Sequence, residues 1–132
     1  MKKIILTIAL FLGAFTTTVN ATETPNNEKV TVTKYTEVSP FCTLIREGNY
    51  EAVKAMIKSG QNVNQKSTGL TPLMFAARYN KADIAKLLIA NGAKLKAKSK
   101  RGYTALKWAK LAKANETVAV IKNSATNNKF LK

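Results

Sequence analysis

The chain has 132 residues, enough for one domain, and its 22 basic residues outnumber its 7 acidic ones to give a formal net charge of +15 at pH 7. It contains one cysteine and no histidine, which excludes histidine-dependent catalytic triads and zinc sites of the common type. Neither of the phosphate-binding patterns GxxxxGK(S/T) and GxGxxG occurs, so we predict a protein that is not an enzyme and needs no metal or cofactor.

Residues 1–21 carry the pattern of a secretory signal peptide. The basic start MKK precedes the apolar run IILTIALFLGAF, and Val19 and Ala21 lie at the two positions that a signal peptidase reads. The alternative is a buried N-terminal helix. No other segment has the ~20 apolar residues that a membrane span needs. We therefore predict cleavage after Ala21 and an exported protein, either periplasmic or secreted.

Residues 22–39 lead into the predicted folded domain. The polar stretch TETPNN is followed by KVTVTKYTEV, in which valine and threonine alternate. This alternation fits either an extended segment that covers the exposed side of the domain or a flexible linker. The sequence leaves both interpretations open.

The single cysteine, Cys42, lies at a predicted helix start beside Phe41. An exported protein with one cysteine cannot form an internal disulfide, so its stability must come from packing. Cys42 is then either a buried small hydrophobe or a thiol that is reactive or pairs between molecules.

Three consecutive segments of the chain repeat one pattern. PFCTLIREGNYEAVKAMIKSGQ aligns without a gap at an offset of 32 with PLMFAARYNKADIAKLLIANGA, which aligns at an offset of 33 with ALKWAKLAKANETVAVIKN. Such a period means one supersecondary unit stacked on itself. We predict that residues 124–132 form a frayed tail. The predicted repeat domain spans residues 40–123. Its three units span residues 40–69, 70–102 and 103–123.

The middle unit predicts a helix, a turn, a second helix and a loop. Thr71 can cap the first helix with its hydroxyl, and Pro72 suits the first helical position, where no hydrogen bond is lost. The apolar residues that follow have helical spacing. Gly92 is suited to end the second helix in the left-handed conformation.

This unit, TPLMFAARYNKADIAKLLIANGA, resembles the ankyrin repeat, whose signature is T-P-L-H-x-A-A followed by a second helix ending in L-L-x-x-G-A. The resemblance implies an all-α fold, an α-solenoid of stacked helix-turn-helix repeats with β-turn fingers. NVNQKSTG, residues 62–69, resembles one such finger. The resemblance also implies a non-catalytic module that binds proteins with its finger tips and with the concave face formed by the first helix of each unit.

The sequence departs from the ankyrin pattern at several positions. Met74 replaces the family's histidine, so the hydrogen bond which that histidine makes is expected to be missing. In the third unit, Lys107 and Lys110 replace the histidine and the second alanine. A charged residue at the second alanine position fits a terminal unit with a solvent-facing outer side.

The stretch KLKAKSKR, residues 94–101, has five positive charges, no acidic residue, and joins the second unit to the third. Its basic residues alternate with Leu95, Ala97 and Ser99, which predicts an extended finger with the lysines along one side. The finger is either solvated, in contact with an acidic protein, or in contact with a polyanion such as nucleic acid or anionic lipid head groups. Nucleic acid is disfavoured because no aromatic residue interrupts the run to stack on bases.

Residues near this finger complete the predicted contact surface. Tyr79 is expected at an exposed turn, and Tyr103 belongs to a residue type that is enriched in interfaces. Trp108 aligns with Phe75 and is predicted to pack in the core. We predict a monomer that binds an acidic protein; the alternative is an electrostatic binder of anionic cell-envelope or polyanion surfaces. The predicted contact residues are Lys94, Lys96, Lys98, Lys100, Arg101, Tyr103, Lys107, Lys110, Arg78 and Tyr79.

Overall fold

A computed structural model describes residues 37–130 of the chain, with the side chain of residue 130 excepted. The predicted signal peptide and most of the predicted N-terminal segment, residues 22–39, lie outside this range. The described part is all-α and contains no strand, only one isolated β-bridge. Its helices are α1 Pro40–Glu47, α2 Tyr50–Lys58, α3 Pro72–Arg78, α4 Ala82–Ala90, α5 Ala105–Leu111 and α6 Asn115–Phe130.

The six helices form three helix pairs that stack side by side, as the repeat pattern predicted. In each pair the first helix packs against the second, α1 against α2, α3 against α4 and α5 against α6. The first helices α1, α3 and α5 pack in one layer, and the second helices α2, α4 and α6 pack in another. The predicted α-solenoid of helix-turn-helix units is therefore confirmed.

Each first helix begins at a hydroxyl side chain that caps it. Ser39 Oγ accepts a hydrogen bond from the Cys42 amide, Thr71 Oγ1 from the Met74 amide, and Thr104 Oγ1 from the Lys107 amide, each at 3.3 Å. These bonds satisfy backbone N–H groups that have no partner inside the helix. The repeated caps explain why the helices start at the same place in every unit.

The turn between the two helices of each unit uses a left-handed residue at an equivalent position. Gly48, Asn80 and Lys113 have φ of 78°, 52° and 55°. Glycine adopts this conformation without cost and asparagine tolerates it, whereas lysine is strained there. Gly92, at the end of α4, has φ 92° as predicted.

One hydrophobic core runs through all three units and takes buried side chains from all six helices. The middle unit is the most deeply buried, because α3 packs against α1 on one side and α5 on the other. All side chains from Pro72 to Ala77 are buried. Ala76, Ala77 and Ala109 have 0% exposure, and these small side chains allow the first helices to approach closely.

Two details differ from the sequence-based prediction. At Met74, where the histidine bond was expected to be missing, the Thr71 amide donates a hydrogen bond to Met74 Sδ at 3.4 Å, which was not predicted. The helix at the carboxyl end also continues past residue 123 into the predicted tail, to Phe130. No glycine or proline occurs after Ala114 to end it.

Among residues 37–130, no helix is both long and apolar enough to cross a membrane.

Candidate functional site

The first finger is a tight two-residue β-turn. Ser67 and Leu70 exchange both backbone hydrogen bonds at 2.9 Å, and the intervening Thr68 and Gly69 have φ of 51° and 85°. Positive φ at both central residues is typical of a type I′ hairpin turn. The predicted β-turn finger in the stretch 62–69 is therefore present.

The second finger, which carries the basic stretch 94–101, closes by a slightly longer turn. The Ser99 amide donates to the Tyr103 carbonyl at 2.9 Å, and Ser99 Oγ accepts from the Tyr103 amide at 3.2 Å. Lys100 and Arg101 lie in this turn and are exposed. Two of the predicted contact residues thus sit at the finger tip.

The two fingers are fastened to each other. The Asn64 side chain donates to the Gly92 carbonyl at 3.0 Å and accepts from the Lys94 amide at 2.9 Å. Lys66 Nζ donates to the Lys98 carbonyl at 2.8 Å. The second finger therefore lies along the first, and its backbone is held at several points.

Gly69 shows how close the finger tips approach. The Lys100 amide donates to the Gly69 carbonyl at 3.3 Å. A Cβ atom at Gly69 would lie 2.7 Å from Lys100 Cδ, well inside van der Waals contact. Glycine at this position thus serves both the turn, through its positive φ, and the packing of the Lys100 side chain across it.

These contacts change the backbone that we predicted for the second finger. An extended hairpin is not formed, because the Lys94 and Lys100 amides bond to the first finger instead of across the second. The predicted alternation of exposure is nevertheless present. The side chains of Leu95, Ala97 and Ser99 are buried or half-buried, and each basic residue between them is exposed.

A cluster of one arginine and three aromatic rings lies beside the finger; we call Arg78, Tyr79, Tyr103 and Trp108 the Arg78 cluster. Arg78 Cζ lies over the Trp108 ring at 5.6 Å and over the Tyr79 ring at 5.7 Å from the centroids. The Tyr103 and Trp108 ring centroids are 5.6 Å apart with planes inclined at 67°, an edge-to-face arrangement. Three predicted contact residues are thus brought together with Trp108: Tyr79 through Arg78, and Arg78 and Tyr103 directly.

Trp108 was predicted only as a core residue, and it does pack against the hydrophobic core. Its place in the Arg78 cluster was not predicted. The residue aligns with the buried Phe75, but α5 is the last of the first helices in the described part, and Trp108 is only half-buried. Its indole Nε1 has no hydrogen-bond partner there and is shielded from solvent. The position of Trp108 in the third unit could have predicted its partial exposure. Within the described residues, α5 packs against only one other first helix, α3.

The remaining predicted residues lie on α5. Lys107 and Lys110 are both exposed, and the exposure of Lys110 contrasts with the full burial of Ala77, its counterpart in the middle unit. The prediction of a solvent-facing side on the third unit is confirmed. Among residues 37–130, the one ion pair joins Lys86 to Asp83 at 3.7 Å, so these cations are not paired with carboxylates of the described chain.

The described residues offer little to a metal or a small molecule. No group of three or more His, Cys, Asp or Glu residues within 37–130 could hold a metal ion. Open depressions of about 400 Å³ beside Tyr50 and about 650 Å³ beside Phe41 include none of the predicted contact residues.

Cys42 is fully buried. Burial raises the pKa of its thiol, while a hydrogen bond with Ser39 acts in the opposite direction. Its packing matches the interpretation as a small core hydrophobe.

The architecture of paired helices, stacked in two layers and joined by fingers, defines a repeat protein of the interaction-module class. The family model described as ankyrin repeats, three copies, matches residues 27–130. The chain therefore belongs to the ankyrin repeat family. Ankyrin repeats are protein–protein interaction modules, so this chain is one as well.

Several larger proteins contain a similar segment. M-phase phosphoprotein 8 of Rattus norvegicus is 40% identical over 65 residues, which cover 47% of this chain and 8% of that protein. Dauer abnormal formation protein 25 of Caenorhabditis elegans is 38% identical over 81 residues, 60% of this chain and 21% of that protein. DExH-box ATP-dependent RNA helicase DExH2 of Arabidopsis thaliana is 40% identical over 82 residues, 61% of this chain and 5% of that protein. The chain thus spans a small part of these relatives.

Asn64 provides a test of how the fingers are joined. Asn64→Ala removes the side-chain hydrogen bonds to the Gly92 carbonyl and from the Lys94 amide. We expect the free energy of unfolding to fall by about 1–2 kcal/mol. The Lys94 amide should also exchange its hydrogen faster, because its acceptor is gone. Urea unfolding and hydrogen exchange measure the two effects. The neighbouring exposed Gln65→Ala should change neither, and unchanged Lys94 exchange in Asn64→Ala would contradict the contact.

Proposed function

We propose that this chain binds an acidic protein through a surface formed by the second finger and the adjoining first helices α3 and α5. The partner contacts are the ten predicted residues, centred on the basic stretch 94–101. Export through residues 1–21 is part of the same proposal and rests on the signal-peptide pattern of the sequence.

The observation that carries the proposal is the unopposed charge of this surface. From Leu70 to Lys132 the chain has 14 basic and 2 acidic residues. All five basic residues of the second finger are exposed, and none forms an ion pair within the described residues. A surface of one sign accelerates the encounter with a partner of the opposite sign and disfavours partners of the same sign.

The surface also has a chemical composition suited to proteins. Arginine, tyrosine and tryptophan are enriched at interfaces, and the Arg78 cluster supplies all three beside the basic finger. The finger lysines would act at longer range, whereas the cluster offers compact contact area. This combination supports a protein partner with acidic side chains.

The test is partner capture from cell-envelope extract with tagged mature protein at low and moderate salt. The variant changes Lys94, Lys96, Lys98, Lys100 and Arg101 to glutamine. The matched control also removes five positive charges by changes to glutamine. These changes are at lysines of the second helices: Lys54, Lys58, Lys86, Lys122 and Lys129. We expect wild type and control to retain one discrete protein at moderate salt, and the finger variant to lose it.

The alternative is an electrostatic binder of anionic envelope surfaces, which the overall charge of +15 favours. Such a binder depends on total charge and is screened by salt. It predicts that both five-residue variants lose binding equally and that capture disappears at moderate salt. That outcome would replace the proposed function with the alternative.

A further inference from the structure

The Arg78 side chain differs from every other cation near the fingers. It is exposed, yet its guanidinium lies over two aromatic rings, those of Tyr79 and Trp108. Among the described residues it forms no ion pair. The lysines of the second finger make no cation–π contact within residues 37–130. Arg78 is thus the one cation of the proposed surface with cation–π contacts among the described residues.

No carboxylate of the described residues engages the guanidinium N–H groups of Arg78, so they are available to a partner. The planar fork matches the two oxygens of a carboxylate, which it can bind with two parallel hydrogen bonds. An adjacent ring also shields the pair from water, and shielding strengthens the attraction between opposite charges. A lysine ammonium offers neither the fork nor the flat face.

The identity of residue 108 adds a second observation. The equivalent residue of the middle unit, Phe75, is an aromatic ring without a polar group. Tryptophan leaves its indole N–H buried without an acceptor among the described residues, which is unfavourable. Tryptophan is, however, the aromatic side chain that attracts a cation most strongly. The Trp108 ring therefore fits a role in holding Arg78.

We propose that Arg78 is the carboxylate anchor of the interaction surface: its guanidinium binds an aspartate or glutamate side chain of the partner peptide in a bidentate pair, beside the Trp108 and Tyr79 rings. The inference rests on the proposed function, since it names the group that the surface recognises. The finger cations attract the acidic segment, and Arg78 fixes one of its carboxylates.

Trp108 makes the test direct, because it is the one tryptophan in the sequence. Its fluorescence should change saturably when a blocked oligoglutamate peptide is added at low salt, and should not change with a blocked oligoglutamine peptide. Arg78→Lys keeps the charge and removes the fork. We expect it to weaken oligoglutamate binding by about tenfold or more, because the second, charge-assisted hydrogen bond of the bidentate pair is lost.

Arg46→Lys is the matched control. Arg46 is the equivalent residue of the first unit, also exposed at the end of its helix, and it makes no cation–π contact within residues 37–130. This variant should bind oligoglutamate like wild type. Calorimetric titration repeats each measurement without relying on tryptophan emission.

The outcomes separate this inference from the proposed function. Equal oligoglutamate affinity of Arg78→Lys and wild type would overturn the anchor, and so would an absence of binding to wild type. Either result leaves the capture experiment, which uses whole proteins and the finger variant, to decide the proposed function. Loss of capture in the finger variant together with unchanged Arg78→Lys binding would mean that charge alone is recognised.

Discussion

Lysine in place of Ala77 will lower the free energy of unfolding by about 3–5 kcal/mol, the cost of leaving a charge buried without a partner. Ala77 has 0% exposure in α3, which packs between α1 and α5. A lysine there must either bury its ammonium or push the first helices apart, and both are unfavourable. Urea unfolding followed by far-UV circular dichroism measures the loss.

The control for this change is the opposite substitution at the equivalent position. Lys110 of the third unit aligns with Ala77, and it is exposed. Lys110→Ala should therefore leave the free energy of unfolding within about 0.5 kcal/mol of wild type. If Ala77→Lys unfolds at the same urea concentration as wild type, the first helices are not packed as described.

Leu88→Ala is expected to produce the second large loss, about 2–5 kcal/mol. Leu88 is fully buried in α4, the second helix of the middle unit, which packs against α2, α3 and α6. Neighbouring helices cannot collapse fully into the space left by the missing methyl groups. Because domains of this size lose about 4–8 °C in Tm per kcal/mol, thermal unfolding will show the effect clearly.

The same substitution at an exposed leucine provides the comparison. Leu111, the last residue of α5, is 54% exposed. Leu111→Ala should cost less than about 1 kcal/mol, since little apolar surface is returned to water. Similar Tm values for Leu88→Ala and Leu111→Ala would contradict the full burial of Leu88 between the helices.

The repeat architecture was predictable from the sequence because its signals are local. Thr71 and Pro72 mark a helix start, and Gly92 marks a helix end. The offsets of 32 and 33 then carry these signals to the neighbouring units. The exposure of the finger cations was predictable for the same reason, since alternation along the chain is a local pattern.

Other features could not be predicted because they depend on residues far apart in the chain. Asn64 contacts Gly92 and Lys94 across the two fingers, and no local sequence pattern predicts such a contact. The placement of Arg78 over Trp108 needs α3 and α5 to be stacked at their final distance. The helical end of α6 up to Phe130 was missed because its polar residues have only weak helix signals.

The fastening of the second finger to the first has a thermodynamic consequence for binding. A loop that becomes ordered only on association loses conformational entropy, about 1–2 kcal/mol for each residue whose backbone becomes fixed. Here Asn64, Lys66 and Gly69 already hold the backbone of the second finger in the free protein. Association then has to restrain mainly the long side chains, so more of the interaction energy remains as affinity.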